Sequence, residues 1–258
     1  MSVSQQARTG RDDVQVHGDE VVPRNTRRVR PSNVTLKVTM AVTGTIFALF
    51  VLVHMIGNLK AFMGPGEYNS YAAFLRTLLH PLVPYEGVLW ILRIVLLACL
   101  VAHVWSGITI WARGRRSRGP HRRQRMGTLT WGARTMLLSG ILLLAFVVVH
   151  ILDLTIGAGV ASSGYQPPVR TGAAEVDVHA YQNLVASLSR PPMAIFYSLI
   201  MLIIGVHLAQ GAWNVINDFG GTGARLRRVW LLIGILIALA IVVGNGALPM
   251  LVLAGVIS

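Results

Sequence analysis

The sequence predicts an all-α integral membrane protein with five transmembrane helices. The first four form a pseudo-two-fold bundle and the fifth lies at its periphery. Three observations carry that reading. Several apolar runs reach the length of about 20 helical residues that a hydrocarbon core of roughly 30 Å requires. Basic residues crowd every second loop. One sixteen-residue apolar stretch is also written twice, as TMAVTGTIFALFVLVH (Thr39–His54) and TMLLSGILLLAFVVVH (Thr135–His150).

The first 33 residues are polar and lack an apolar core, so they are expected to be a disordered cytoplasmic tail and not a cleavable signal peptide. The membrane domain is expected over 34–258, with helices near 35–60, 87–112, 130–157, 193–217 and 228–256. After the first helix, Gly64-Pro65-Gly66 breaks the chain, and Tyr68 to Leu79 has the spacing of a short amphipathic helix stopped by His80-Pro81. After the third, a longer loop ends in a second amphipathic stretch, Val178 to Ser189, stopped by Arg190-Pro191. The repeat is therefore a whole hairpin: helix, surface helix, proline, helix.

The net charge of +13 follows from topology and not from nucleic-acid binding. Arg24, Arg27, Arg28, Arg30 and Lys37 precede the first helix, Arg113 to Arg125 fill the loop after the second, and Arg225, Arg227 and Arg228 precede the fifth. That pattern sets the N-terminus in the cytoplasm and the C-terminus outside, as in a bacterial cell membrane. A lone Cys99 rules out a disulfide framework, a CxxCH attachment site and a Rieske centre with two cysteines. An anchor with some other non-haem iron–sulfur centre stays as an alternative, because Cys99 lies one turn from His103.

Within the repeat, Thr39/Thr135, Met40/Met136, Gly44/Gly140, Phe50/Phe146 and His54/His150 are identical, and Thr43 matches Ser139. The descending helices match as well: His103 has Gly107 four residues on, and His207 has Gly211. A parallel duplication implies a two-fold axis along the membrane normal, which places equivalent residues at equal depth. His54 lies about 17 residues beyond Lys37, or roughly 26 Å from the cytoplasmic end, and His150 lies roughly 30 Å beyond Thr130. His103 and His207 lie about 15 Å from the same surface. The four histidines thus fall at two levels, His54 with His150 outside and His103 with His207 inside. Gly44 and Gly140 fall near the inner level, where a missing side chain would admit a flat macrocycle.

Two neutral imidazoles from opposing helices suit both axial positions of a haem iron. Two such sites stacked in depth make a path for single electrons across the bilayer. Zinc or di-iron is a poorer match, since no carboxylate cluster shares these depths. A scaffold or transporter in which the histidines relay protons is the non-redox alternative. His17, His80, His121 and His179 fall in the tail or the loops.

The segments VHMIGNL around His54, ILRIVLLACLVAH before His103, FVVVHILDL around His150 and VHLAQGAW around His207 carry a resemblance. From about Lys37 onward the chain resembles the cytochrome b anchor of succinate dehydrogenase and fumarate reductase, in the single-subunit, five-helix, two-haem form of Gram-positive bacteria. The resemblance implies two b-type haems, a proximal one on His103 and His207 and a distal one on His54 and His150. It also implies a flavoprotein and an iron–sulfur subunit on the cytoplasmic face, electron delivery to a quinone such as menaquinone, and a place in the respiratory chain and the tricarboxylic acid cycle. A higher oligomer of the whole complex and a b cytochrome serving another oxidoreductase both fit the same histidines. For quinone protonation the best candidate is Asp153, one turn after His150, with Asn58, Lys60, Tyr85 and Glu86 near it in depth. Arg93 and Lys60 are candidate propionate partners at the outer level, and Arg134 is one inside.

Overall fold

The computed structural model describes residues 14–17, 20–23, 30–118, 128–172 and 175–258, with side chains of 14–17, 20–23, 118 and 128–134 outside that description. The chain divides into two units, 1–32 and 33–258. In the first, β1 (Val14–His17) pairs antiparallel with β2 (Glu20–Pro23), matching Val14 to Pro23 and His17 to Glu20.

The second unit is helical. Its membrane-spanning elements are α1 (Asn33–Asn58), α3 (Gly87–Arg118), α4 (Thr128–Ile151), α6 (Pro191–Asp218) and α7 (Ala224–Leu253), with the surface helices α2 (Pro65–Thr77) and α5 (Ala180–Leu188) between them. All five long helices are apolar enough to cross a bilayer. The shortest of these, α4 with 24 residues, is about 36 Å long, more than a hydrocarbon core demands. The multi-pass all-α architecture is therefore as expected.

Helix ends follow local chemistry. A 3-10 turn, Leu59–Met63, extends α1 until Gly64 takes a positive φ of 93° and Pro65 starts α2. A π-helical turn, Leu152–Ile156, extends α4 until Gly157, in the left-handed region at φ 73°, ends it. The prolines at 191 and 192 open α6, where their missing N–H groups cost nothing.

Within each repeat the two long helices pack together, α1 on α3 and α4 on α6, and α1 also packs on α6. The counterpart pair α3 and α4 touch little, so the two-fold is approximate. The fifth helix lies outside these four and packs along α6, with a smaller seat on α1. Small residues allow the approach: a Cβ on Gly205 would stand 2.5 Å from Val242, and one on Gly244 would stand 3.0 Å from Met55 Sδ. Hydrogen bonds reinforce it, from Trp230 Nε1 to the Ala212 carbonyl at 2.7 Å and from Ser198 Oγ to the Gly246 carbonyl at 3.1 Å.

The two surface helices meet over the end of the bundle at which α1 and α4 finish. Asn69 donates to Gln182 and accepts from the Tyr181 backbone N–H, both at 2.9 Å. Beneath them lies the best-packed apolar cluster, including Phe146, Tyr181, Leu188, Tyr197 and Leu248. The long helices turn many apolar residues outward, such as Ile94, Leu97 and Val101 on α3 and Leu236 and Val243 on α7, as a lipid-facing surface requires.

A candidate pair of intramembrane histidine centres

At the inner level the same arrangement occurs once in each repeat. On α1, Thr43 sits 2.9 Å from His103 Nδ1 on α3; on α4, Ser139 sits 2.9 Å from His207 Nδ1 on α6. Each hydroxyl has a single proton, and helical Thr and Ser tend to give it back to a carbonyl in the preceding turn. Thr43 donates to Thr39 O at 2.7 Å and Ser139 to Met136 O at 3.1 Å. Both hydroxyls therefore accept from imidazole N–H, which assigns the proton to Nδ1 in each histidine and leaves the Nε2 lone pair uncommitted.

One residue along, the glycines provide the adjoining space. A Cβ on Gly44 would lie 3.3 Å from His103 Cε1, tighter than an ordinary contact, and one on Gly140 would lie 3.7 Å from His207 Cε1. Phe47 places its ring edge-on to His103 at 5.9 Å. Gly107, one turn after His103, faces Met40, with its Cε 3.8 Å from a Cβ built there; nothing lies within 4 Å of one built on Gly211.

At the outer level, His54 and His150 face each other with ring centroids 5.8 Å apart and planes at 86°. Each is backed by the phenylalanine one turn earlier, Phe50 and Phe146, at 5.5 Å. Tyr197 of α6 adds an edge contact to His150 at 6.1 Å. Among the described residues no hydroxyl serves this pair as it does the inner one, and His150 Nδ1 is buried without a hydrogen-bond partner there. An orphaned polar atom costs about 1–3 kcal/mol, so the outer site holds an unmet demand for a polar or metal partner.

These residues fit an axially ligated macrocycle. Two imidazoles that each bonded one metal through a nitrogen at about 2 Å would have ring centroids roughly 6 Å apart, and the outer rings stand 5.8 Å apart. Glycines flank the inner imidazoles where a Cβ would crowd them. Among the described residues no group of three His, Cys, Asp or Glu gathers as an ordinary metal site would need. Cys99 is partly buried and free.

Asp153 lies in the π-helical turn after His150, and its side chain is fully buried. It pairs with Arg190 Nη2 at 2.7 Å and accepts from Tyr197 Oη at 3.0 Å and from Ser187 Oγ. Arg190, one third exposed, also donates to the Val160 carbonyl at 2.7 Å. Sequence reasoning read Arg190 only as a helix stop and passed over Ser187 and Tyr197. The available signal was a run of polar residues between two segments expected to be apolar.

The remaining candidates are engaged elsewhere. Arg93 pairs with Glu86 at 3.2 Å and lies 4.9 Å from the Trp90 ring, while Arg76 holds the other Glu86 oxygen at 3.1 Å. Lys60 pairs with Glu67 at 3.4 Å and sits over Tyr71. Tyr85 lies against Arg170. Asn58 donates to Asn245 at 3.1 Å and accepts from Tyr68 Oη at 3.4 Å, which ties α1, α7 and α2 together. Burial, with Tyr71 beside it, pushes the Tyr68 hydroxyl up to about 12, so it stays a donor. The side chain of Arg134, and His121 altogether, lie outside the described residues. His179 pairs with Asp177 at 3.3 Å, far from either pair in the chain. Compared with known proteins, the chain matches no protein family and no curated sequence.

Proposed function

We propose that this chain is the membrane anchor of a respiratory complex II, a succinate:quinone oxidoreductase. In this reading it holds two b haems on His103 with His207 and on His54 with His150, and carries electrons from an iron–sulfur partner to menaquinone. The observation that supports it most is the repeated one: two imidazoles, each fixed through Nδ1 by a hydroxyl of the neighbouring helix and each facing a glycine. Bound haem supplies a closed, low-spin iron that exchanges one electron at a time.

The chain's own residues do the rest. Thr43 and Ser139 hold the inner rings in one tautomer, and Phe50, Phe146 and Tyr197 confine the outer ones. Gly107 and Gly211 lie on the haem-facing sides of α3 and α6 in this reading. The basic inner loops face the cytoplasm of a bacterium, where the flavoprotein and iron–sulfur subunits dock. Quinone binds at the outer level, and Asp153 is the buried acid that takes part in its protonation. Arg190 connects that acid to the outer aqueous face.

Succinate added to the purified complex is expected to reduce a b-type α-band. A haem that dithionite reduces but succinate leaves oxidised would assign the chain to another oxidoreductase. A purified complex without haem absorbance would favour the proton-relay alternative.

Thr43→Val, which removes the acceptor for His103 Nδ1, is expected to weaken retention of one haem about 10- to 100-fold, the usual penalty for losing a hydrogen bond behind a metal ligand. Thr43→Ser should restore it. Haem titration of the apo-protein measures both.

A further inference from the structure

The two repeats match at the inner level but differ at the outer one. Aligning Thr39–His54 on Thr135–His150 places Gly57 opposite Asp153, and aligning His80-Pro81 on Arg190-Pro191 places Thr77 opposite Ser187. Aligning His103 on His207 places Arg93 opposite Tyr197. A buried carboxylate with three partners therefore exists in the second repeat alone.

That carboxylate reaches one histidine of the outer pair. Tyr197 gives its hydroxyl proton to Asp153 at 3.0 Å and lays its ring edge against His150, with centroids 6.1 Å apart. Asp153 also sits three residues beyond His150 on the same helix. Arg190 partly cancels the charge at 2.7 Å, but its side chain is one third exposed whereas that of Asp153 is not exposed at all. The guanidinium is thus screened by water more than the carboxylate is, and His150 feels a net negative field in a medium of low dielectric.

We infer that Asp153 is a positioning residue for the outer centre: it anchors Tyr197 against His150 and, with Arg190, sets the field in which the iron held there changes charge. Among the described residues the inner centre has no counterpart to this cluster. The inference rests on the haem reading above. A negative charge favours the oxidised, more positive iron, so it lowers the reduction potential, and removing it raises that potential. Removing the partner cation does the opposite.

The test is a spectropotentiometric titration of the purified complex at fixed pH and without quinone. The outer haem is identified as the one absent from His54→Ala. Asp153→Asn should shift that haem's midpoint upward, Arg190→Gln should shift it downward, and the other haem should stay in place in both variants. Arg190→Lys, which keeps the charge, should stay close to the unmodified protein. If Asp153→Asn does not assemble, the partly exposed Arg190 variants carry the test alone. Two haems at unchanged potentials, or shifts of the same sign in Asp153→Asn and Arg190→Gln, would overturn the inference while leaving the haem reading intact. Absence of haem from the unmodified complex would defeat the haem reading instead.

Discussion

Replacing either His103 or His207 with alanine is expected to remove one and the same haem, halving the haem content and deleting one component of the reduced-minus-oxidised spectrum. His54→Ala and His150→Ala should each delete the other component. The expectation follows from how the imidazoles are held. Thr43 and Ser139 orient His103 and His207 identically from equivalent positions, and His54 and His150 meet with centroids 5.8 Å apart. With one imidazole gone, no third ligating side chain among the described residues would be there to take its place in holding a haem. Spectra of the four variants check the pairing directly. If His103→Ala and His207→Ala removed different components, the assignment of partners would be wrong.

A comparable loss is expected from bulk at the inner glycines. At Gly44 even a methyl group would come within 3.3 Å of His103 Cε1, so the branched side chain of Gly44→Leu must displace either the ring or the neighbouring helix. At Gly140 the first carbon is tolerated at 3.7 Å from His207, but the remaining atoms of leucine must occupy the space beside the imidazole. Both variants should therefore lose the component that is missing in His103→Ala and keep the outer one. Gly140→Ala should be mild and Gly44→Ala intermediate. Haem content and spectra of the purified variants measure this gradient. Equal loss of both components would point to general unfolding of the bundle instead.

Much of this architecture was legible because membrane insertion constrains sequence so strongly. Apolar length set the spans, and the prolines at 65, 81 and 191 marked where the surface helices begin or stop. The repeat supplied the depth relations: equal offsets in α1 and α4 put Gly44 and Gly140 near the level of His103 and His207, and in the structure Gly44 lies beside His103 and Gly140 beside His207. Pairing of Thr43 with Ser139 was visible too, but not its meaning, because a hydroxyl acquires a role only when the partner helix turns an imidazole toward it.

The outer cluster was hardest to read. Asp153 stood out as an intramembrane acid, yet Ser187, Arg190 and Tyr197 come from α5 and the start of α6, 34 to 44 residues away. No local pattern links them, since the loop between is long and its path is set by packing. Arg93 and Lys60 illustrate the opposite problem. Their depth suggested propionates, but carboxylates close in sequence, Glu86 and Glu67, already hold them. Short-range ion pairs of this kind win because little chain entropy is spent in forming them.

The most direct test of the central claim is the haem stoichiometry and spin state of the purified, full-length protein, by pyridine haemochrome assay and low-temperature electron paramagnetic resonance. Two b haems per chain, both low-spin in the ferric state, are expected if His54 pairs with His150 and His103 with His207. A folded protein with one haem or none, or with high-spin iron at either level, would contradict it.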